Sequence, residues 1–166
     1  MSRDEQLTFA DHIGRFYARQ YGFPPMVGRL FGYLLVCQPA KQSIDELSDA
    51  LMASRSAIVG AVKSLESYQL VTRTRAAGER VDRVALRNVG SEPRNVDTEI
   101  FKEQAGLFRE GLSLLDDSSP GRRAILEEMA MAAEFFGVRL PEVVEEWKAR
   151  RAELRASGVL SEPDTD

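Results

Sequence analysis

The sequence predicts a mainly α chain carrying one small β-hairpin. Three observations predict it. Apolar residues recur at three- and four-residue spacing through most of the chain, as on one face of a helix. The two runs rich in Val and Thr, Val71–Arg75 and Val81–Leu86, flank Ala76-Ala77-Gly78-Glu79, where Gly78 can supply a positive φ. Ser43 and Ser54 each stand just ahead of a short apolar-periodic run, where a hydroxyl can cap a helix. Two short helices joined by a tight turn and followed by a hairpin make a winged helix-turn-helix, and the flanking helices suit the pairing of two copies.

Taken in order, Glu5–Tyr21 reads as a helix whose stripe of Phe9, Ile13, Phe16 and Tyr17 must be buried against something. Gly22-Phe23-Pro24-Pro25 breaks it, and a second helix runs from about Pro25 to Val36 with Val27, Leu30, Phe31, Leu34 and Leu35. Ser43-Ile44-Asp45-Glu46 has the form of a capping box and starts a short helix burying Leu47, Ala50 and Leu51. After Met52-Ala53, Ser54 caps a helix over 54–67 whose buried stripe is Ile58, Val62 and Leu65. Its opposite face shows Arg55, Ser56, Val59, Gly60 and Lys63. Gly60 costs about 1 kcal/mol against Ala in a helix interior, so it answers either to close approach of another surface or to close packing on the neighbouring helix. The hairpin should pack Val71, Val84 and Leu86 on these helices, since an isolated hairpin is marginal in water.

Beyond a linker around Asn88–Val96, Asp97–Leu115 predicts a helix with Phe101, Ala105, Phe108, Leu112 and Leu115 in line. Ser119-Pro120 restarts a helix with Ile125, Met129, Ala132 and Phe136 that stops near Gly137, and Pro141 opens a last one carrying Val144, Trp147 and Leu154. The chain thus divides into an N-terminal dimerisation helix over 1–22 and a winged helix-turn-helix over 23–90. A C-terminal helical dimerisation region over 97–157 and a disordered tail over 158–166 follow.

Composition narrows the function classes. The chain has 166 residues, ample for a core without metal or disulfide, and its single Cys37 fits a reducing compartment. No apolar run approaches a membrane span and no signal peptide is visible, so a cytoplasmic protein without membrane contact is expected. The net charge is −4, yet between Ser54 and Arg87 the basic residues Arg55, Lys63, Arg73, Arg75, Arg80, Arg83 and Arg87 outnumber Glu66, Glu79 and Asp82. A basic patch on an acidic chain gives a local face for a polyanion. No metal-ligand spacing, phosphate-cradling loop or nucleophile–base set is present, so no cofactor, no metal and no enzymatic activity are expected. His12 stands alone on its helix as a surface or interface residue, Cys37 is expected as a buried thiol rather than a redox sensor, and Met52, Met129 and Met131 are expected to fill core or interface space.

Ile44-Asp45-Glu46-Leu47-Ser48-Asp49-Ala50-Leu51, followed by Ser54-Arg55-Ser56-Ala57-Ile58-Val59 and Ser64-Leu65-Glu66, resembles the winged helix-turn-helix of the multiple-antibiotic-resistance regulator (MarR) superfamily. Gly32-Tyr33-Leu34-Leu35 and Gly78-Glu79-Arg80 look most like its GbsR subgroup. The resemblance covers roughly Phe23 to Leu86. It implies a homodimer built by the N- and C-terminal helices, double-stranded DNA as partner, a recognition helix in the major groove and a wing over 71–87 near the minor groove. It also implies a transcriptional repressor acting at a pseudo-palindromic operator and a small-molecule effector in a crevice beside the winged domain. Two features depart from the family: Gln69 stands where Gly is frequent, and the wing signature survives only as Asp82-Arg83.

On that reading Arg55 reaches a guanine edge or a phosphate pair, and Ser54 and Ser56 meet phosphate at the helix N-terminus. Lys63 meets the backbone, Val59 lies on the same face, Arg73, Arg75 and Arg83 line the hairpin, and Arg80 at its tip enters a narrow minor groove. Phe16, Tyr17, Tyr33 and Phe108, with Tyr21, Phe101 and Trp147, supply aromatic walls able to cage a quaternary ammonium, or simply fill the core and dimer seam. The rival reading is a winged-helix protein-interaction or adaptor module that never touches DNA.

Overall fold

The computed structural model describes residues 2–75, 81–87, 99–115 and 119–161. The chain forms two compact units, Met1–Val89 and Gly90–Asp166.

The first unit begins with α1 (Arg3–Tyr21), two residues longer at its start than periodicity predicts. Ser2 and Glu5 close a capping box there: the Ser2 amide donates to Glu5 Oε2 at 2.7 Å and the Glu5 amide to Ser2 Oγ at 3.2 Å. α2 (Pro25–Leu34) packs along α1 through small residues. A Cβ on Gly32 would stand 2.8 Å from Ile13 Cβ and 2.9 Å from Ala10 Cα, and one on Gly28 3.0 Å from Gly14 Cα. The expected stripe of Phe9, Ile13, Phe16 and Tyr17 is therefore only half covered. Ala10 and Gly14 form the buried line, Ile13 and Tyr17 flank it, and Phe9 and Phe16 stay exposed.

α3 (Ile44–Leu51) and α4 (Arg55–Ser67) follow, joined through Met52, which takes a left-handed conformation at φ 51°. Ser43 closes the expected capping box with Glu46, and Ser54 Oγ accepts from the Ala57 amide at 3.2 Å. Leu47, Leu51, Ile58, Val62 and Leu65 are fully buried with Leu30. α4 ends in a Schellman turn: the Leu70 amide donates to Leu65 O and the Gln69 amide to Glu66 O, both at 2.9 Å. Gln69 occupies its left-handed position at φ 57°.

β2 (Val71–Thr74) and β3 (Arg83–Leu86) make the hairpin, shorter at both inner ends than the sequence suggested. The sequence reading missed a third strand, β1 (Gln42–Ser43), which pairs antiparallel with β3 through Gln42–Val84 and Ser43–Arg83. The sheet order is β1-β3-β2, so the wing is tied to the residue that caps α3. Val71, Val84 and Leu86 pack on the helical core, as the marginal stability of a lone hairpin requires.

The second unit is a helical hairpin of α5 (Glu99–Ser113) and α6 (Pro120–Ala156). The break expected between Gly137 and Pro141 does not occur; α6 runs through Pro141 for 37 residues. A proline in a helix costs about 3 kcal/mol, but a new helix at Pro141 would need a cap at Leu140, whose side chain has no acceptor. The side-chain pair Arg139–Glu142 also bridges the site. The hairpin seam is made of Ala105, Ala130, Ala133 and Gly137 rather than the expected large residues. Ile125, Met129, Phe135, Phe136 and Val138 are left exposed. Among the described residues, no helix is long and apolar enough to cross a membrane.

Candidate nucleic-acid interface

The face of α4 opposite its buried stripe presents Ser56, Gly60, Lys63 and Ser67, all exposed and spaced by three or four residues. Ser54 and Ser56 stand at the N-terminus with their hydroxyls 3.1 Å apart. Ser54 caps the Ala57 amide, and the other amides of the first turn, together with the helix dipole, favour an anion there. A Cβ added to Gly60 would meet nothing within 4 Å. Packing on a neighbouring helix of this unit is thus not what Gly60 serves, and close approach of an outside surface remains. Val59 is half-buried against the core and shows only its edge on this face.

The arginines are differently placed from what exposure on a hairpin suggests, because each described one of the candidate set has a carboxylate. Arg55, first residue of α4, pairs with Asp45 of α3, and both side chains remain largely exposed. Arg73 on β2 grips Glu66 on α4: its Nε lies 2.9 Å from Oε1, and Nη2 donates to Oε2 at 3.2 Å. Arg83 on β3 donates from Nη1 to Glu46 Oε2 at 3.0 Å, the same oxygen that accepts the Ser43 amide at 2.6 Å. Arg75 Nε donates to Asp82 Oδ1 at 2.7 Å, one register step beyond the ladder. Arg80, with Gly78 and Glu79, lies outside the described residues. Lys63 and Arg87 are exposed.

These contacts leave an electrostatic signature. The Ser43 amide, followed by the Ser43 hydroxyl and the Arg83 guanidinium, holds the Glu46 carboxyl below the usual range. The Arg75 hydrogen bond does the same for Asp82. Asp45, Glu46, Glu66 and Asp82 were not recognised in the sequence as partners of these arginines. One signal was available: pairing Val71 with Leu86 sets Arg75 opposite Asp82.

The aromatic candidates separate. Tyr17 stands at the centre of a ring cluster, with centroids 5.4 Å from Phe16, 5.2 Å from Tyr21, 5.3 Å from Phe23 and 5.1 Å from Phe31. Phe23 stacks on Tyr68, the C-cap of α4, at 4.7 Å, which ties the α1–α2 loop to the end of that helix. Tyr33 lies instead in the hydrophobic core at 6% exposure, where burial raises its hydroxyl pKa. Phe108, half-buried on α5, belongs with Phe101 and Trp147 to the second unit. Cys37 is buried, and burial pushes its thiol up to about 11.

Comparison with known proteins agrees with this geometry. The family model for MmpR5-like MarR family transcriptional regulators matches residues 96–150. The HTH-type transcriptional regulator MmpR5 of Mycobacterium tuberculosis (strain ATCC 25618 / H37Rv) is 32% identical over 124 residues, which span 74% of each chain. A crystal structure described as a transcriptional regulator is similar at a TM-score of 0.71 and 28% identity, covering 90% of this chain and 99% of that one. With its capped helix pair, its three-stranded wing and this relative, the chain belongs to the MmpR5-like MarR family of transcriptional regulators.

Proposed function

We propose that the chain binds double-stranded DNA as a two-fold homodimer at a pseudo-palindromic operator and acts as a ligand-modulated repressor. The observation that carries this reading is the outer face of α4: an exposed helix N-terminus, an exposed Lys63 and open space at Gly60, set beside an antiparallel wing. On this reading α4 enters the major groove. The first-turn amides with Ser54 and Ser56 meet a phosphate, Arg55 leaves or shares Asp45 to reach a base edge, and Lys63 meets the backbone. The wing, with Arg75 and Arg80, lies near the minor groove.

The homodimer draws support from apolar residues left exposed on each unit, Phe9 and Phe16 on α1 and Ile125, Phe135, Phe136 and Val138 on α6. Helices over 1–22 and 97–157 would then join two copies and space the two recognition helices about one turn of DNA apart. The effector reading draws support from the Phe16, Tyr17, Tyr21 and Phe23 rings, which can present π faces to a cation. A GbsR-like placement has less behind it, since Gly32, Tyr33 and Leu34 are explained by packing against α1 and the core.

One observation favours the protein-interaction alternative: Arg55, Arg73, Arg75 and Arg83 already have carboxylate partners. Salt dependence separates the two. Binding of duplex DNA fragments should fall steeply with salt, with a log–log slope near −0.9 per phosphate contacted. Lys63→Ala should weaken all sequences alike and reduce the slope by about one, whereas Arg55→Ala should relax preference at one base step at a cost of about 1–3 kcal/mol. A chain that retains no duplex at low salt is not a DNA-binding regulator of this kind.

A further inference from the structure

The geometry points to Arg73 and Arg83 as positioning residues that brace the wing against the helix pair through Glu66 and Glu46, rather than as contacts to DNA. This inference rests on the DNA-binding reading above and assigns those two arginines a different part in it. Both belong to the same sheet, Arg73 on the outer strand β2 and Arg83 on the central strand β3. Each reaches away from the hairpin to a different helix. Arg73 donates one hydrogen bond, from Nη2 to Glu66 Oε2 near the C-terminus of α4, with its Nε 2.9 Å from Oε1 but not hydrogen-bonded, and Arg83 donates to Glu46 in the first turn of α3. Each contact is a charge-assisted hydrogen bond, stronger than one between neutral groups.

Burial sorts the arginines in the same way. The Arg73 and Arg83 side chains are 28% and 32% exposed, against 58% for Arg75 and 63% for Arg55. Arg83 is also placed by its strand: its Cα partner in β1 is Ser43, the cap that Glu46 reads from the other side. The wing is therefore held to the start of α3 by a strand pair and an ion pair, and to the end of α4 by a second ion pair. These restraints set the angle between the wing and the α4 face. That angle must be fixed if a helix and a hairpin are to engage two grooves of one duplex at once.

The test is a charge exchange. Affinity for a random-sequence 30-base-pair duplex pool, and the sequence preference recovered from that pool, are measured across salt for wild type, Arg73→Glu, Glu66→Arg and the double variant. Arg73→Glu alone should lower affinity by up to roughly fivefold, the worth of one partly exposed ion pair. The double variant should return to near wild-type affinity, preference and salt slope, because the brace is restored with its polarity reversed. Arg73→Gln and Arg83→Gln remove each pair without juxtaposing like charges. They should lower affinity with the salt slope unchanged, and raise amide hydrogen exchange in 71–74 and 83–86. A double variant that stays weak, or a Gln variant whose slope falls by about 0.9, marks a direct phosphate contact and overturns the assignment. Wild-type chain that retains no duplex at low salt overturns the DNA reading first, and the bracing role with it.

Discussion

Replacing Gly60 by Ala is the sharpest probe of the α4 face, because stability and DNA binding should move in opposite directions. Gly60 lies in the interior of a 13-residue helix, and a Cβ there meets no atom within 4 Å. With neither a new contact nor a clash, the change in the free protein reduces to helix propensity, a gain of about 0.8–1.0 kcal/mol. For a cooperative unit of this size that raises Tm by roughly 4–8 °C. On DNA the account reverses. If Gly60 is there so that a duplex can approach the helix backbone, the methyl intrudes on a closed contact. Such crowding costs about 1–3 kcal/mol, which is roughly a 5- to 150-fold rise in Kd. Thermal melts and a duplex titration on the same preparation read both signs. A variant that is more stable and binds as well as wild type refutes close approach at Gly60. One that is less stable refutes the open space itself.

Gly32→Ala makes the same chemical change with the opposite outcome in the free protein. Its Cβ would fall 2.8 Å from Ile13 Cβ and 2.9 Å from Ala10 Cα, so melts should show a loss of about 1–3 kcal/mol despite the better propensity. Gln69→Gly should stabilise by about 1 kcal/mol in urea titrations, since it removes a side chain from a left-handed position at φ 57° within the turn that ends α4. Cys37 should resist thiol reagents at neutral pH in the native chain and react in urea. Its folded pKa of about 11 lies above the unfolded value, so its contribution to stability is complete below the unfolded pKa and is lost as pH rises toward 11, which Cys37→Ala should abolish in melts between pH 8 and 11.

Much of the winged unit was legible because its signals are local. Ser43 with Glu46 and Ser54 with Ala57 are contacts three residues apart, and the caps fall where the hydroxyls predicted them. The stripes Leu47–Leu51 and Ile58–Val62–Leu65 follow from helical period alone. The α1–α2 packing was not legible in this way. The residues that meet are Ala10, Gly14, Gly28 and Gly32, which carry almost no hydropathy, while the more apolar Phe9 and Phe16 remain outside. The second unit repeats the pattern: period analysis found the stripe Ile125, Met129, Ala132 and Phe136, but the hairpin seam is the small-residue line one position on. Hydropathy locates surfaces that need covering, and it does not say whether the same chain covers them. Ion pairs across seven residues, or across thirty-seven, are further from view, since they depend on sheet register and on where the wing folds back.

The paired arginines also bear on how an acidic chain with net charge −4 can address DNA selectively. A guanidinium already holding a carboxylate gains from a phosphate only the difference between two anions, and the displaced carboxylate is then repelled by the duplex. Arg55 and Arg75, paired with Asp45 and Asp82, therefore add little to sequence-independent attraction. On the DNA reading, what remains for non-specific contact among the described residues is chiefly Lys63, Arg87 and the amides at the start of α4. The stronger claim on binding then falls to a surface of fixed shape: a helix face without side-chain bulk at Gly60, and a wing held at one angle by Glu46 and Glu66. Affinity would arise only where a duplex matches that shape and offers Arg55 a better partner than Asp45, such as the O6 and N7 of a guanine. Glu46 and Glu66 do both at once: they neutralise Arg83 and Arg73 within the patch and they fix its geometry.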